Sequence, residues 1–287
     1  MVRLYRSVNI ASQEEMLSNR IVSSRPTVLI FDSGVGGLSV YHYIRQALPS
    51  VHYIYAFDNG AFPYSEKSED FIIERVLEIV SAVQQCHPIV IAVIACNTAS
   101  TISLLALRKR FSFPVVGVVP AIKPAADLTV NGIVGLLATR GTIQRHYIHE
   151  LIARYATGCK IELLGSSELV ELAEAKLHGE VVPLLTLKKI LDPWLKMTNP
   201  PDTVVLGCTH FSLLEEELML VLFKGTRLVD SGAAVARRIV WLIAMQKNFL
   251  STQEENLAYC VTLDEKANSL LPVLRGYGLK TLRELAL

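Results

Sequence analysis

Two of the five cysteines follow closely similar segments of the chain. Cys96 follows the apolar run IVIAVIA and precedes Asn-Thr, and Cys208 follows TVVLG and precedes Thr-His. A β-branched run without alternation is typical of a strand buried on both faces of a parallel sheet. A residue just past such a strand lies at the carboxyl edge of the sheet, where open α/β folds bind ligands. Because each predicted helix that follows presents free N–H groups and a positive dipole end, we expect lowered thiol pKa values at both cysteines.

Two thiols that face one ligand from opposite sides suit the inversion of an amino-acid α-carbon. One base must remove the Cα proton and an acid on the other face must return one, and cysteine serves as thiolate or thiol as the direction reverses. His210, two residues after Cys208, is then a candidate proton carrier. The alternative for His210 is an ordinary surface histidine.

Other interpretations of the cysteines are also available. A lone cysteine is more often a small buried hydrophobe than a reagent, and we expect this of Cys86, Cys159 and Cys260. A structural zinc site is disfavoured because no C-x₂₋₄-C pair occurs in the sequence. A Cys-His hydrolase or amidase needs one cysteine, one base and an oxyanion hole, so it leaves the second cysteine unexplained.

A glycine-rich turn, DSGVGG, follows the first predicted strand and begins at Asp32. Glycines at such a turn let backbone N–H groups approach a ligand. The motif fails as a dinucleotide fingerprint because Ser39 stands where the third glycine belongs, and no phosphate-binding Gly-Lys-Ser/Thr occurs. Asp32 at the strand end suits an ammonium group better than a phosphate. A second Asp-Ser-Gly at Asp230 is interpreted as a helix cap and turn.

Predicted strands and helices alternate along the chain, which indicates βαβ units and mainly parallel sheets. Since the two cysteine segments occupy comparable positions, we predict two similar α/β domains related by a pseudo-two-fold axis, with the active site in the cleft between them. The predicted division is an N-terminal extension over 1–25, a first domain over 26–119 plus 230–287, and a second domain over 120–229.

Several helices are predicted in enough detail to be tested. The apolar spacing predicts a long helix over 66–87 with Phe71 on its buried side. Single helices are predicted over 211–222 and 264–276.

Composition excludes several classes of protein. Hydrophobic residues make up 51% and charged residues 19% of the 287 residues, which indicates a globular chain rather than a disordered one. The formal net charge of +1 gives no sign of direct binding to nucleic acid or to an anionic membrane. We expect no spanning helix, no signal peptide and no disulfide framework, so the predicted location is the cytoplasm.

Four motifs in order resemble a known family. They are FDSGVGG from Phe31, FPYSEK from Phe62, ACNTAS from Ala95 and GCTHF from Gly207. Together they make the chain, from about residue 26 to its end, similar to the cofactor-independent glutamate racemases of the aspartate/glutamate racemase family. This resemblance implies interconversion of L- and D-glutamate, which supplies D-glutamate for peptidoglycan and so supports cell-wall biogenesis and cell shape. A preference for another acidic amino acid such as aspartate is the alternative.

The resemblance also implies roles for particular residues, with neither pyridoxal phosphate nor a metal. Cys96 is the thiol that acts on the D enantiomer and Cys208 the thiol that acts on the L enantiomer. Asp32 and His210 assist in proton handling, and Glu174 matches a further acidic position, for which a solvated helix face is the alternative. The implied substrate contacts are Asp32, Ser33, Tyr64, Ser65, Asn97, Thr98, Thr209 and His210.

The extension over 1–25 resembles that of the enterobacterial type of these enzymes. This implies activation by the peptidoglycan precursor UDP-N-acetylmuramoyl-L-alanine. Some relatives bind DNA gyrase, so a separate role as a protein inhibitor is a further hypothesis. One departure is Ser65, where relatives commonly have glycine; a requirement for positive φ there would strain serine.

Overall fold

The strands form two separate parallel sheets. In the computed structural model, which describes residues 25–246, 252 and 254–287, the six-stranded sheet has the order β10-β9-β2-β1-β3-β4 and the four-stranded sheet the order β6-β5-β7-β8. The strands are β1 (Thr27–Asp32), β2 (His52–Phe57), β3 (Ile89–Ile94), β4 (Val115–Gly117), β5 (Ile133–Ala138), β6 (Lys160–Gly165), β7 (Thr203–Leu206), β8 (Arg227–Val229), β9 (Leu257–Cys260) and β10 (Thr281–Glu284). The prediction of two α/β units with parallel sheets is confirmed.

Helices connect the strands and cover both sheets. They are α1 (Leu38–Ala47), α2 (Glu69–Cys86), α3 (Asn97–Arg110), α4 (Ile122–Leu128), α5 (Arg140–Ile143), α6 (His146–Tyr155), α7 (Glu168–Leu177), α8 (Leu184–Leu195), α9 (Thr209–Ser212), α10 (Glu215–Val221), α11 (Gly232–Met245), α12 (Glu265–Ser269) and α13 (Leu271–Gly276). A short 3₁₀ turn, Tyr64–Glu66, precedes α2. No helix among the described residues is long and apolar enough to cross a membrane.

The two sheets share one pattern of strand order. The run β2-β1-β3-β4 of the larger sheet and the run β6-β5-β7-β8 of the smaller one place corresponding strands in the same order. Cys96 follows β3 and Cys208 follows β7, the corresponding strand. The repeat therefore brings both cysteines to the carboxyl ends of matched strands. The sequence-based domain boundaries stay a prediction, and the extension before Arg25 lies outside the described residues.

The helix α2 shows how the sequence selects its buried face. The Ser68 hydroxyl caps its first turn by accepting from the N–H of Phe71 at 3.4 Å. The buried stripe consists of Ile72, Val76, Ile79, Val80 and Val83. Phe71 is 40% exposed, so its predicted burial is wrong. It lies about 100° around the helix from Ile72, off the stripe.

Other details of the sequence-based prediction also need correction. The single helix expected over 211–222 is divided into α9 and α10, because the chain leaves helical dihedral angles at Leu214 (φ −103°, ψ 13°). The one expected over 264–276 is divided into α12 and α13, with a proline in the first turn of α13. The helix α4 and the edge strand β10 were not predicted. Cys86 is exposed at the end of α2, whereas Cys260 is buried as expected and Cys159 is half-buried.

Candidate active site

Cys96 lies in the turn between β3 and α3, buried among polar groups. Its sulfur accepts from the N–H of Ala99 at 3.5 Å, as the cap of α3, and lies 3.5 Å from the hydroxyl of Ser33. Ser33 comes from the glycine-rich turn after β1, which pairs directly with β3. Two neighbouring strand ends therefore hold this thiol in place.

The pKa of Cys96 is opposite to the sequence-based expectation. Burial of the thiol and the nearby carboxylate of Asp32 raise its pKa to about 12, although the N–H of Ala99 and the hydroxyl of Ser33 lower it. Desolvation thus outweighs the helix N-terminus, because a fully buried thiolate loses its water. At neutral pH Cys96 is a thiol, a proton donor rather than a base.

Cys208 begins a chain of three polar side chains. Its sulfur lies 3.9 Å from Nδ1 of His210, and Nε2 of the same ring lies 2.7 Å from Oε1 of Glu174 on α7. Burial lowers the pKa of His210, but the contacts with Cys208 and Glu174 outweigh it and hold the pKa well above its ordinary value. Burial raises the pKa of Glu174, and the hydrogen bond from His210 reverses this so that the net pKa is lowered. His210 is thus a buried imidazolium rather than a surface histidine.

Asp32 joins the two halves of the site. Its Oδ1 accepts from the N–H of Ser33 at 2.6 Å, and its Oδ2 accepts from the N–H of Gly37 and, at 3.1 Å, from the hydroxyl of Thr209. Because Asp32 ends β1 and Thr209 begins α9, this last bond crosses from one sheet unit to the other. Burial raises the pKa of Asp32, against the lowering effects of His210 and of these N–H donors.

One small cavity contacts both thiols. Its volume is about 30 Å³, room for about one water molecule. The lining residues are Asp32, Ser33, Phe62, Pro63, Tyr64, Ser65, Cys96, Asn97, Thr98, Thr139, Thr142, Val170, Gly207, Cys208, Thr209 and His210. Every candidate from the sequence lines it except Glu174, which reaches the site through His210. Asn97 is one of these lining residues, and its Oδ1 atom is buried without a hydrogen-bond partner in the described chain.

The loop before α2 closes one side of the cavity. The hydroxyl of Tyr64 donates to Oδ2 of Asp58 at 2.8 Å, and Arg75 binds both oxygens of that carboxylate at 2.8 and 3.2 Å. Asp58 is fully buried, and a buried carboxylate without a counter-charge would strongly destabilise the fold. The guanidinium of Arg75 supplies that counter-charge. No non-glycine residue in the described ranges has positive φ, so Ser65 carries no strain of the kind considered above.

Sequence reasoning missed several residues of the cavity wall, among them Thr139 and Thr142. They open α5 directly after β5, the strand of the smaller sheet that corresponds to β1. Thr139 therefore holds the place that Ser33 holds in the larger unit, and Thr142 lies three residues further on. The internal repeat could have indicated these residues. It was used to compare the cysteine strands β3 and β7, and the same comparison of β1 with β5 leads to the end of β5.

The fold and the site together define a class: α/β enzymes in which two matched units each present one cysteine to a shared small-molecule cavity. The chain belongs to the Asp/Glu/Hydantoin racemase family, whose model matches residues 31–239. The family predicted from the four motifs is thereby confirmed.

Individual relatives agree with this assignment. The chain is 73% identical to a glutamate racemase of Serratia proteamaculans over 99% of both chains. It is 68% identical to a glutamate racemase of Yersinia pseudotuberculosis over 98% of both. The crystal structure of Escherichia coli glutamate racemase in complex with L-glutamate and the activator UDP-MurNAc-Ala superposes with a TM-score of 0.90 at 67% identity, covering 91% of this chain and 98% of that one.

Proposed function

We propose that this chain is a glutamate racemase that interconverts L- and D-glutamate by proton transfer between two cysteines. The observation that carries the proposal is the placement of Cys96 and Cys208, at the ends of corresponding strands, on one small cavity. Identities of 73% and 68% to enzymes named glutamate racemase support glutamate as the substrate rather than aspartate. A Cys-His hydrolase would leave one of the two thiols without a task.

The resting charges of the site suit L-glutamate. The raised pKa of Cys96 keeps it a thiol, and the sulfur of Cys208 lies 3.9 Å from Nδ1 of His210. Cys208 then takes the Cα proton of L-glutamate, and the electron pair left on Cα delocalises into the α-carboxylate. Cys96 gives its proton to the opposite face of Cα, which completes D-glutamate. The reverse reaction uses the same atoms with the roles of the sulfurs exchanged.

The other lining groups hold the substrate between the sulfurs. The buried Oδ1 of Asn97 accepts from the substrate ammonium, and the hydroxyl of Thr98 donates to a substrate carboxylate. Ser33 and Thr209 contact the substrate from the same lining, with the hydroxyl proton of Thr209 given to Asp32. Tyr64 and Ser65, on the loop before α2, contact the side-chain end of the substrate. Asp32 and the pair of His210 and Glu174 position the thiols and carry protons to and from them.

Proton exchange in heavy water tests this function. Each enantiomer of glutamate is given to the wild type, Cys96→Ala and Cys208→Ala, and deuterium at Cα and optical inversion are followed by NMR and polarimetry. Either substitution should abolish net inversion, whereas Cys86→Ala, at the exposed end of α2, should not change it. Inversion that survives loss of one thiol, or a trapped acyl-enzyme on the other, would favour a hydrolase.

The product, D-glutamate, would supply peptidoglycan synthesis. We extend the proposal to activation of the enzyme by UDP-N-acetylmuramoyl-L-alanine. A ligand of this kind, UDP-MurNAc-Ala, is the activator in the Escherichia coli structure. Deleting 1–25 and assaying with and without the nucleotide tests the extension; unchanged activation would discard its role.

The need for two reduced sulfurs supports a cytoplasmic location. Binding of DNA gyrase stays a prediction.

A further inference from the structure

A buried tyrosine is bonded to the glycine-rich turn that begins at Asp32. Tyr55 is on β2, its side chain is fully buried, and its hydroxyl donates to the carbonyl oxygen of Gly34 at 3.0 Å. Burial raises the pKa of Tyr55 well above its ordinary value, so the phenol is protonated and its hydroxyl is a donor. Tyr55 does not line the substrate cavity, so any effect that it has on the reaction acts through the turn.

The bonded carbonyl belongs to a peptide group whose other end contacts the second α/β unit. The C=O of Gly34 and the N–H of Val35 are parts of one planar trans peptide and point in opposite directions. The N–H of Val35 donates to Oε1 of Glu174 at 3.4 Å. A Cβ on Gly34 would stand 2.9 Å from the same oxygen, so glycine lets the carboxylate reach the backbone. One rigid group therefore joins the hydroxyl of Tyr55 to the carboxylate of Glu174.

The same carboxylate oxygen holds the histidine of the site. Nε2 of His210 lies 2.7 Å from Oε1 of Glu174, and Nδ1 of the ring lies 3.9 Å from the sulfur of Cys208. Gly36, in the same turn, packs so closely on this ring that a Cβ there would overlap it. The turn therefore supports the histidine both by direct packing and through the carboxylate.

From these contacts we propose that Tyr55 is a positioning residue for the racemisation: its hydroxyl fixes the Gly34–Val35 peptide, and that peptide fixes the carboxylate of Glu174. This inference rests on the proposed function and deepens it. A hydroxyl that donates to a carbonyl polarises the peptide and makes the N–H at its other end a better donor. Loss of the hydroxyl frees the peptide to rotate and weakens the bond to Glu174, so the ring of His210 is held less firmly beside the reacting sulfur.

The pKa of Glu174 is sensitive to this peptide. Burial raises the pKa, and the bond and charge of His210, the N–H of Val35 and the charge of Lys266 on α12 lower it by more, so the net pKa is lowered. A weaker bond from Val35 therefore raises the pKa of Glu174 towards its ordinary value.

The test compares Tyr55→Phe with Tyr53→Phe in the full-length chain. Tyr55→Phe keeps the buried ring and removes the donor to Gly34. Tyr53 lies two residues earlier on β2 and is also fully buried, but its hydroxyl donates to the carbonyl oxygens of Ile44 and Leu48, at 3.3 and 2.7 Å, and not to the turn. Both variants lose buried hydrogen bonds, so both should lose stability in urea unfolding, which also confirms that each is folded.

Only the first variant should change the chemistry. We expect Tyr55→Phe to lower kcat by about twofold to tenfold, the effect of one hydrogen bond, and to leave KM within about twofold of wild type. The acidic limb of the plot of kcat against pH should move to higher pH, because the pKa of Glu174 rises. Tyr53→Phe should keep the wild-type kcat and the wild-type limb.

A double-mutant cycle tests whether the effect passes through the carboxylate. In the Glu174→Gln background, Tyr55→Phe should change kcat by less than about twofold, because the charge through which it acts is gone. A full effect of Tyr55→Phe in that background would show that Tyr55 acts by another route and would overturn the proposal.

Two further outcomes reject the positioning role. They are an unchanged kcat and acidic limb in Tyr55→Phe, and an equal change of both in Tyr53→Phe. The wild type is assayed first: if it does not racemise glutamate, the proposed function itself fails. Racemisation by the wild type together with normal turnover in Tyr55→Phe rejects the role of Tyr55 alone.

Discussion

Nε2 of His210 lies 2.7 Å from Oε1 of Glu174, and His210 is 3% exposed. The carboxylate raises the pKa of the imidazole and the imidazole lowers that of the carboxylate, so both are ionised near neutral pH. Stability from the raised imidazole pKa is present below 6.5 and lost as the pH rises through the folded-state value. Stability from the lowered carboxylate pKa is present above 4.5 and lost as the pH falls through its folded-state value.

Replacing this carboxylate by an amide should therefore have two effects. Glu174→Gln removes the charge that holds the imidazolium, so we expect kcat to fall by about tenfold to a hundredfold. The loss of stability should be greatest between pH 4.5 and 6.5, where both stabilising effects are present. Denaturant unfolding across pH and steady-state kinetics measure the two effects. Glu171→Gln, one turn earlier on α7 and exposed, is the control and should change neither.

The thiols should differ in their order of alkylation. Only a thiolate reacts with iodoacetamide at an appreciable rate, and the pKa of Cys96 is raised to about 12 by burial. Cys208 is half-buried and adjoins an imidazolium, and Cys86 is exposed. We expect Cys86 and Cys208 to be labelled well before Cys96, as peptide mapping by mass spectrometry would show. Cys86→Ser removes the background label, and earlier labelling of Cys96 would contradict the assigned resting state.

The loop that carries Tyr64 should depend on a buried ion pair. Arg75→Gln leaves the carboxylate of Asp58 fully buried without its cation, which should destabilise the fold by about 3 kcal/mol. Urea unfolding measures this difference. The matched control is Glu78→Gln, because Glu78 makes the exposed contact with the same arginine and should contribute less than about 1 kcal/mol. Equal effects of the two substitutions would contradict the role assigned to Asp58.

Sequence reasoning succeeded where the signal is local in the chain. The strand, the turn and the first turn of the helix around Cys96 and around Cys208 lie within a dozen residues each, so their position at the carboxyl edge follows from hydrophobic pattern alone. The family motifs added the polar residues beside them. The structure brings all of these except Glu174 to one cavity.

What failed depended on packing between distant segments. The pKa of Cys96 is decided by burial, which no single segment reveals, and so its expected lowering was wrong. Asp58 and Arg75 are 17 residues apart and meet only because α2 folds back on the loop. The divided helices after Cys208 and near the end of the chain differ from the prediction because a long apolar pattern does not show where a helix bends.

Closure of the cleft should depend on one ion pair between the units. Nη1 of Arg145 lies 2.5 Å from Oε1 of Glu69. Arg145 is at the start of α6 and Glu69 is at the start of α2. The pair lies beside the seam between the units, where Ser65 faces Gly141. A cavity of about 30 Å³ is smaller than an amino dicarboxylate, so we expect the two units to separate when the substrate enters. We expect the ion pair to favour the closed arrangement.

Glu69→Gln should weaken closure and raise KM. A partly exposed pair contributes up to about 1 kcal/mol, which corresponds to a change of about fivefold or less in KM. Salt at about 1 M, where the Debye length is about 3 Å, should raise the wild-type KM in the same direction and leave the KM of the variant nearly unchanged. Steady-state kinetics in low and high salt measure both. Glu66→Gln, on the neighbouring 3₁₀ turn, is the control, and an equal salt response in wild type and Glu69→Gln would show that this pair does not hold the cleft closed.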